Sequence, residues 1–217
     1  MEIGKRTYIV AIVVIIAVAG FGISYNVANA VAQNSTANNS GTYAVTLVVT
    51  TNNIFNQTVG DQPAYYVLEN GTLQSSAVIS FPAGKMISLT IINYDDGPAD
   101  VASQYANVVG TTGNQITIIN DTNVNSSQGT SGINVSGGSV VSKVPDTNIA
   151  HTFTVMGTSS NVLLNIPVPP SSVVHATFTL NSGSYTWQCE AACGSGSAGW
   201  GGAMSTPGWM TGTVSVA

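Results

Sequence analysis

The chain has 217 residues, carries a formal net charge of −5, and only 6% of its residues are charged. That length suffices for one domain with a proper core, and 44% hydrophobic residues at so low a charge exclude an intrinsically disordered chain. Outside the N-terminal segment Lys85 and Lys143 are the only basic residues, which excludes a nucleic-acid partner, because binding phosphates needs a basic face.

Glycine, serine, threonine and asparagine replace the usual ionic surface. A surface that is polar without being charged keeps nearly the same charge at any pH, which is compatible with an acidic, extracytoplasmic setting. Seven Asn-x-Ser/Thr sequons, at Asn34, Asn38, Asn56, Asn70, Asn120, Asn125 and Asn134, are equally compatible with a glycosylated surface protein.

Lys5-Arg6 precede an apolar run from Tyr8 to Ile23 that continues weakly to Val31. A bilayer span needs about 20 apolar residues, and positive charge before the run with none after it predicts an inside N-terminus and an outside C-terminal domain. Residues 1–32 therefore read as a single-pass membrane anchor. Ala28-Asn29-Ala30 also fits a signal-peptidase site, so a cleaved leader is the alternative; both export the domain. Residues 33–42 form a polar Asn/Ser-rich linker.

From Tyr43 the chain reads as β. Strands are expected at 43–50, 65–68, 77–81 and 85–93, with turns at Glu69-Asn70-Gly71 and Pro82-Ala83-Gly84. The fourth strand stops at Tyr94-Asp95-Asp96-Gly97-Pro98. Residues 100–146 are a long insertion, expected to hold one short hairpin around Gln115–Ile119 and otherwise to be a surface excursion. Strands follow at 152–155 and 162–166. Pro167-Val168-Pro169-Pro170 reads as a connection, since proline is excluded from central strands. A hairpin is expected from Ala176–Leu180 and Tyr185–Cys189 around Asn181-Ser182-Gly183, and 211–216 closes the domain. No amphipathic helix is legible after the anchor.

His151 opens one strand, Cys189 closes a later one, and Cys193, Met204 and Met210 follow in a Gly-rich loop. Imidazole and thiolate suit copper, and a thioether can serve as a weak axial ligand. This arrangement, with Pro82-Ala83-Gly84, a strand and Asn93-x-Asp-Asp-Gly97, resembles the cupredoxin superfamily over roughly Val78 to Ala217. The resemblance implies an all-β Greek-key barrel or sandwich behind one N-terminal transmembrane helix. The loop also resembles the Cu-A domain of haem–copper oxidase subunit II, whose pattern is Gly-x-Tyr-x-x-Gln-Cys-x-Glu-x-Cys-Gly-x-x-His-x-x-Met. Gly183, Tyr185, Gln188, Cys189, Cys193 and Gly194 match it. The sulfocyanin-like blue-copper proteins are a second resemblance.

The pattern's histidine falls on Ser197, so the resemblance implies an altered copper centre rather than an intact Cu-A pair. With the hairpin turn centred on Ser182, Cys189 faces His175, which would then supply a second imidazole. Two cysteines in an oxidising compartment also pair as a disulfide when their Cα atoms come within about 7 Å. The alternatives are a metal-free disulfide or dithiol, and one copper on His151, cysteine and methionine, with or without His175. By resemblance the chain serves a respiratory chain beside oxidase subunits or redox partners. No Ser–His–Asp set or paired-carboxylate motif points to independent catalysis. A surface or filament protein on the same scaffold is the reading from another class.

Overall fold

The structure, a computed structural model, describes residues 41–54, 62–120, 138–194 and 202–217. Twelve strands form within these stretches: β1 (Thr42–Thr50), β2 (Ala64–Glu69), β3 (Thr72–Ser75), β4 (Val78–Phe81), β5 (Met86–Asn93), β6 (Ile116–Asn120), β7 (Ser139–Val141), β8 (His151–Met156), β9 (Val162–Val168), β10 (Ser172–Phe178), β11 (Gly183–Gln188) and β12 (Thr211–Val216). They make an all-β sandwich of two sheets, in the orders β3-β2-β1-β5-β10-β6-β7 and β4-β12-β11-β8-β9. Most neighbours are antiparallel, whereas β1–β5 and β4–β12 are parallel.

The alternation read from the sequence places the core. Leu47, Val49, Tyr65, Ile87, Leu89, Ile91, Val174 and Phe178 face inward from the first sheet; Ile79, Phe153, Val155, Leu164, Ile166, Trp187 and Val214 meet them from the second. Val48, Ile92, Ile119 and Val173 form a smaller buried cluster on the first sheet's opposite face. Burying such side chains contributes about 1.5–3 kcal/mol each. The turn signal at Glu69-Asn70-Gly71 becomes the β2–β3 hairpin. Both Asn70 (φ 50°) and Gly71 (φ 77°) take left-handed conformations, the backbone of a two-residue turn suited to strand twist.

Three expectations are revised. The hairpin of β10 with β11 does not form: β10 pairs with β5 and β6, and β11 with β8 and β12, so the two runs lie in different sheets. The Asn181–Gly183 segment is a crossing between layers. Second, β9 runs through Pro167 to Val168, with Thr152 opposite Pro167. This is tolerated because β9 is the edge strand of its sheet. Third, the insertion is only partly an excursion. β6 and β7 form the expected short hairpin, but Ala106 and Val108 are buried and Val109 bridges Asn165 of β9.

Among the described residues no helix is long and apolar enough to cross a membrane; the apolar run of residues 1–32 and most of the linker lie outside them. Ser197 also lies outside the described residues.

Candidate metal centre

One end of the sandwich gathers the ends of β1, β5, β9 and β11 and the starts of β2, β8, β10 and β12, as the registers Thr50↔Ala64, Ser172↔Asn93, His151↔Val168 and Gln188↔Thr211 require. His151 is the first residue of β8 and Cys189 the first after β11. Met210 immediately precedes β12, and its carbonyl accepts the Cys189 N–H at 2.8 Å. Segments distant in sequence are thus delivered to one place by strand pairing.

His151 Nδ1 lies 3.1 Å from Cys193 Sγ and 3.9 Å from Cys189 Sγ, and the two sulfurs are 3.3 Å apart. All three side chains are buried, at 1%, 3% and 0% exposure respectively. The cysteines are free thiols. Met210 is fully buried beside them in the same core cluster, while Met204 packs on that cluster from a half-buried position. His175 is elsewhere. It sits on β10 opposite Thr90 and Thr117, on the face shared with Val173 and away from the core. Its Nδ1 is 3.0 Å from Thr90 Oγ1, and burial pushes its imidazole down. Without the β10–β11 hairpin nothing brings it to Cys189.

Two contributors were not singled out in the sequence. Asp95 follows β5 in a turn fixed by its neighbours: its N–H donates to Asn93 Oδ1 and its carbonyl accepts the Ser171 N–H. Its Oδ2 lies 3.0 Å from His151 Nε2. The imidazole is thereby held by one nitrogen with the other aimed at the sulfurs, as an outer carboxylate orients a metal-ligating histidine. Thr152 is the other. Its N–H donates to Cys189 Sγ at 3.3 Å and its hydroxyl accepts the Glu190 N–H at 2.8 Å. The only sequence signal for either was position, one in the turn after a strand and one beside His151.

Burial pushes the His151 imidazole down, but hydrogen bonds to Asp95 and Cys189 and their charges outweigh it and raise it to about 9. Burial pushes Asp95 up, and its bonds to His151 and the Gly97 N–H overturn that and hold it below the usual carboxylate range. For the sulfurs, burial opposes ionisation of Cys189, yet hydrogen bonds from Cys193 and His151 hold it well below an ordinary thiol. The Cys189 sulfur and burial push Cys193 far up. In the metal-free site the imidazole and Cys189 thus favour each other's charged form, while Cys193 is held protonated.

Donors on one ion at about 2.0–2.3 Å are at most about 4.6 Å apart, and the three donor atoms here lie within 4.8 Å of one another. One imidazole and two thiolates are a soft set that suits copper in preference to hard cations. Cys193, His151 and Asp95 also line a cleft of about 460 Å3. Asp95→Asn is expected to lower metal affinity about 10–100-fold. It should also change the pH profile of the metal-free protein. The pair's contribution to stability is fully present below the ordinary histidine value of 6.5 and is lost as pH rises through about 9. On the acid side it is lost as pH falls through the depressed pKa of Asp95. Denaturant melts of both proteins from pH 4 to 10 test this; a stability difference that grows above pH 7 would contradict it.

No protein-family model matches the chain, and no curated protein matches it. Among solved structures, a rusticyanin variant aligns over 83% of this chain and 79% of its own at 11% identity and a TM-score of 0.39. Rusticyanin from Thiobacillus ferrooxidans aligns over 82% and 78% at 13% identity and 0.37. A purple cupredoxin from Nitrosopumilus maritimus aligns over 79% and 98% at 11% identity and 0.30.

Proposed function

We propose that the chain is a cupredoxin-like electron-transfer module, exported and held by its N-terminal apolar run, with one copper on His151, Cys189 and Cys193. The observation that carries this is the convergence of one imidazole nitrogen and two sulfurs, mutually 3.1–3.9 Å apart, in a buried pocket. Bound copper supplies one-electron chemistry there. The chain's own residues set the conditions: Asp95 orients His151, the Thr152 N–H faces Cys189 Sγ, and burial keeps bulk water from the donors. The loop's match to the subunit II pattern supports service beside a respiratory oxidase. A single imidazole in the cluster supports one copper rather than two.

Loading the reduced, metal-free chain is expected to take up one copper per chain, to release protons as the ion displaces them from thiol and imidazole, and to give a coloured, mononuclear spin spectrum. Two coppers with a mixed-valence spectrum would overturn the single-ion assignment, and no uptake would overturn the copper reading. Recovery from native membranes without haem-bearing partners would count against the oxidase role.

A second reading, a sulfocyanin-like carrier, is favoured by Met210. It is buried, stands one residue before β12 and is bonded through its backbone to Cys189, which makes it the candidate thioether for a single-cysteine set with His151 and Cys189.

A further inference from the structure

The β2–β3 hairpin carries a motif that the metal centre leaves unused. Asn70-Gly71-Thr72 is the one sequon whose three residues all lie within the described stretches, and all three are exposed. Asn70 stands at φ 50° in the turn. A Cβ added at Gly71 would meet no atom within 4 Å, so the tip stands clear of the rest of the domain. No hydrogen bond among the described residues engages the Asn70 side-chain amide. The Thr72 hydroxyl, by contrast, donates to the Glu69 carbonyl at 2.8 Å and accepts from Gln74 Nε2 at 2.9 Å. Turn chemistry alone asks for less, since Asp-Gly or Gly-Gly would close the hairpin equally well.

The same hairpin leaves an edge open. β3 is the outermost strand of the first sheet, and Thr72, Gln74 and Ser75 are exposed along it. An edge strand offers unpaired N–H and C=O groups to a second chain and is ordinarily blunted by charge or proline. The β9 edge of the other sheet has Pro167. β3 has neither device, in a chain with only 6% charged residues. The tip is also remote from the metal centre: β2 starts at the centre's end, with Ala64 opposite Thr50, and runs away from it to Glu69. We propose that Asn70 is an N-glycosylation acceptor and that its saccharide covers the open edge of β3. The donor is a lipid-phosphate-linked saccharide. Its C1–O bond to phosphate breaks, a C1–Nδ2 bond to Asn70 forms, the amide gives up one proton and the lipid phosphate leaves; nothing is oxidised or reduced.

This rests on the reading that the domain is exported, and the two separate experimentally. The chain is recovered from its own cells and its peptides are weighed, while protease added to intact and to lysed cells reports where the domain lies. The Asn70 peptide should be heavier by whole saccharide residues in the parent and in Thr72→Ser. The added mass should be lost in Thr72→Ala, which keeps the turn, and in Asn70→Asp, whose side chain tolerates the left-handed backbone. Circular dichroism checks that all four fold. At equal concentration Thr72→Ala should sediment as larger species than Thr72→Ser, because β3 is then uncovered. An exported parent with a bare Asn70 peptide overturns the proposal and leaves export intact. A glycosylated parent whose Thr72→Ala variant sediments like Thr72→Ser overturns the covering role. A domain cut only after lysis ends both readings.

Discussion

Cys189→Ser protein is expected to remain colourless and metal-free at copper concentrations that saturate the parent chain. Cys189 is the innermost donor, and it receives the Thr152 N–H while its own N–H is tied to Met210. A serine hydroxyl in that place is neutral and hard, where copper is selected by soft thiolate. The loss of affinity should exceed the roughly 10–100-fold that follows removal of an outer partner. The fold should survive, since the serine oxygen can accept the same N–H, so circular dichroism and Trp187 emission should match the parent. Cys193→Ser is the informative companion. It keeps His151, Cys189 and Met210, so loss of copper supports the two-sulfur centre, and a retained blue copper supports the single-cysteine alternative. A Cys189→Ser protein with the parent's spectrum would sink both.

Gly110→Ala should be the most damaging single methyl in the described chain outside the centre. Gly110 has φ +76°, and a Cβ there overlaps the Leu163 carbonyl oxygen of β9 and comes within 3.2 Å of Leu164 Cα. The left-handed conformation costs a non-glycine residue about 1–2 kcal/mol, and forcing an extra carbon against packed backbone costs about 1–3 kcal/mol more. The sum, about 2–5 kcal/mol, is a large part of the total stability of a typical domain. It falls where Val109 bridges Asn165. Asn165 holds the Tyr105 and Asn107 carbonyls through Nδ2 and accepts the Thr154 hydroxyl, which in turn contacts Thr152 Oγ1 at 2.9 Å. The damage should therefore travel to the Cys189–Glu190 segment. Urea melts read the stability loss, and weakened copper binding in the surviving folded fraction reads its transmission. A melt unchanged within about 0.5 kcal/mol, the scatter usual for surface substitutions, would contradict the packing described.

The strands of the sandwich were legible because branched and aromatic residues alternate cleanly, as in β1 and β5, and because turns such as Asn70-Gly71 carry their own chemistry. His151, Cys189 and Cys193 were legible as a candidate set because a ligand's place at the start or end of a strand survives in sequence. Pairing partners were not. Ala176–Leu180 and Tyr185–Cys189 around Asn-Ser-Gly have the local pattern of a hairpin, and a corner between two layers has the same pattern. Only the competing offers of β5, β6, β8 and β12 decide between them, and these lie far away in the chain. His175 as a ligand depended wholly on that hairpin. Asp95 was hidden for a related reason. A carboxylate in an exposed-looking turn carries no mark of the imidazole 56 positions downstream that it will hold.

The scatter of the centre along the chain fixes when it can exist. A ribosome delivers the chain from its N-terminus, and domains emerge in that order. Asp95 and His151 are made early, both sulfurs late, and β12, which inserts between β4 and β11, last of the strands. Until Thr211–Val216 has been made, β4 has no partner in its sheet and Cys189 lacks the Met210 carbonyl that anchors its backbone. The arrangement of donors described above is therefore complete only once β12 is in place, and an ion entering the finished sandwich would find the cleft beside Cys193.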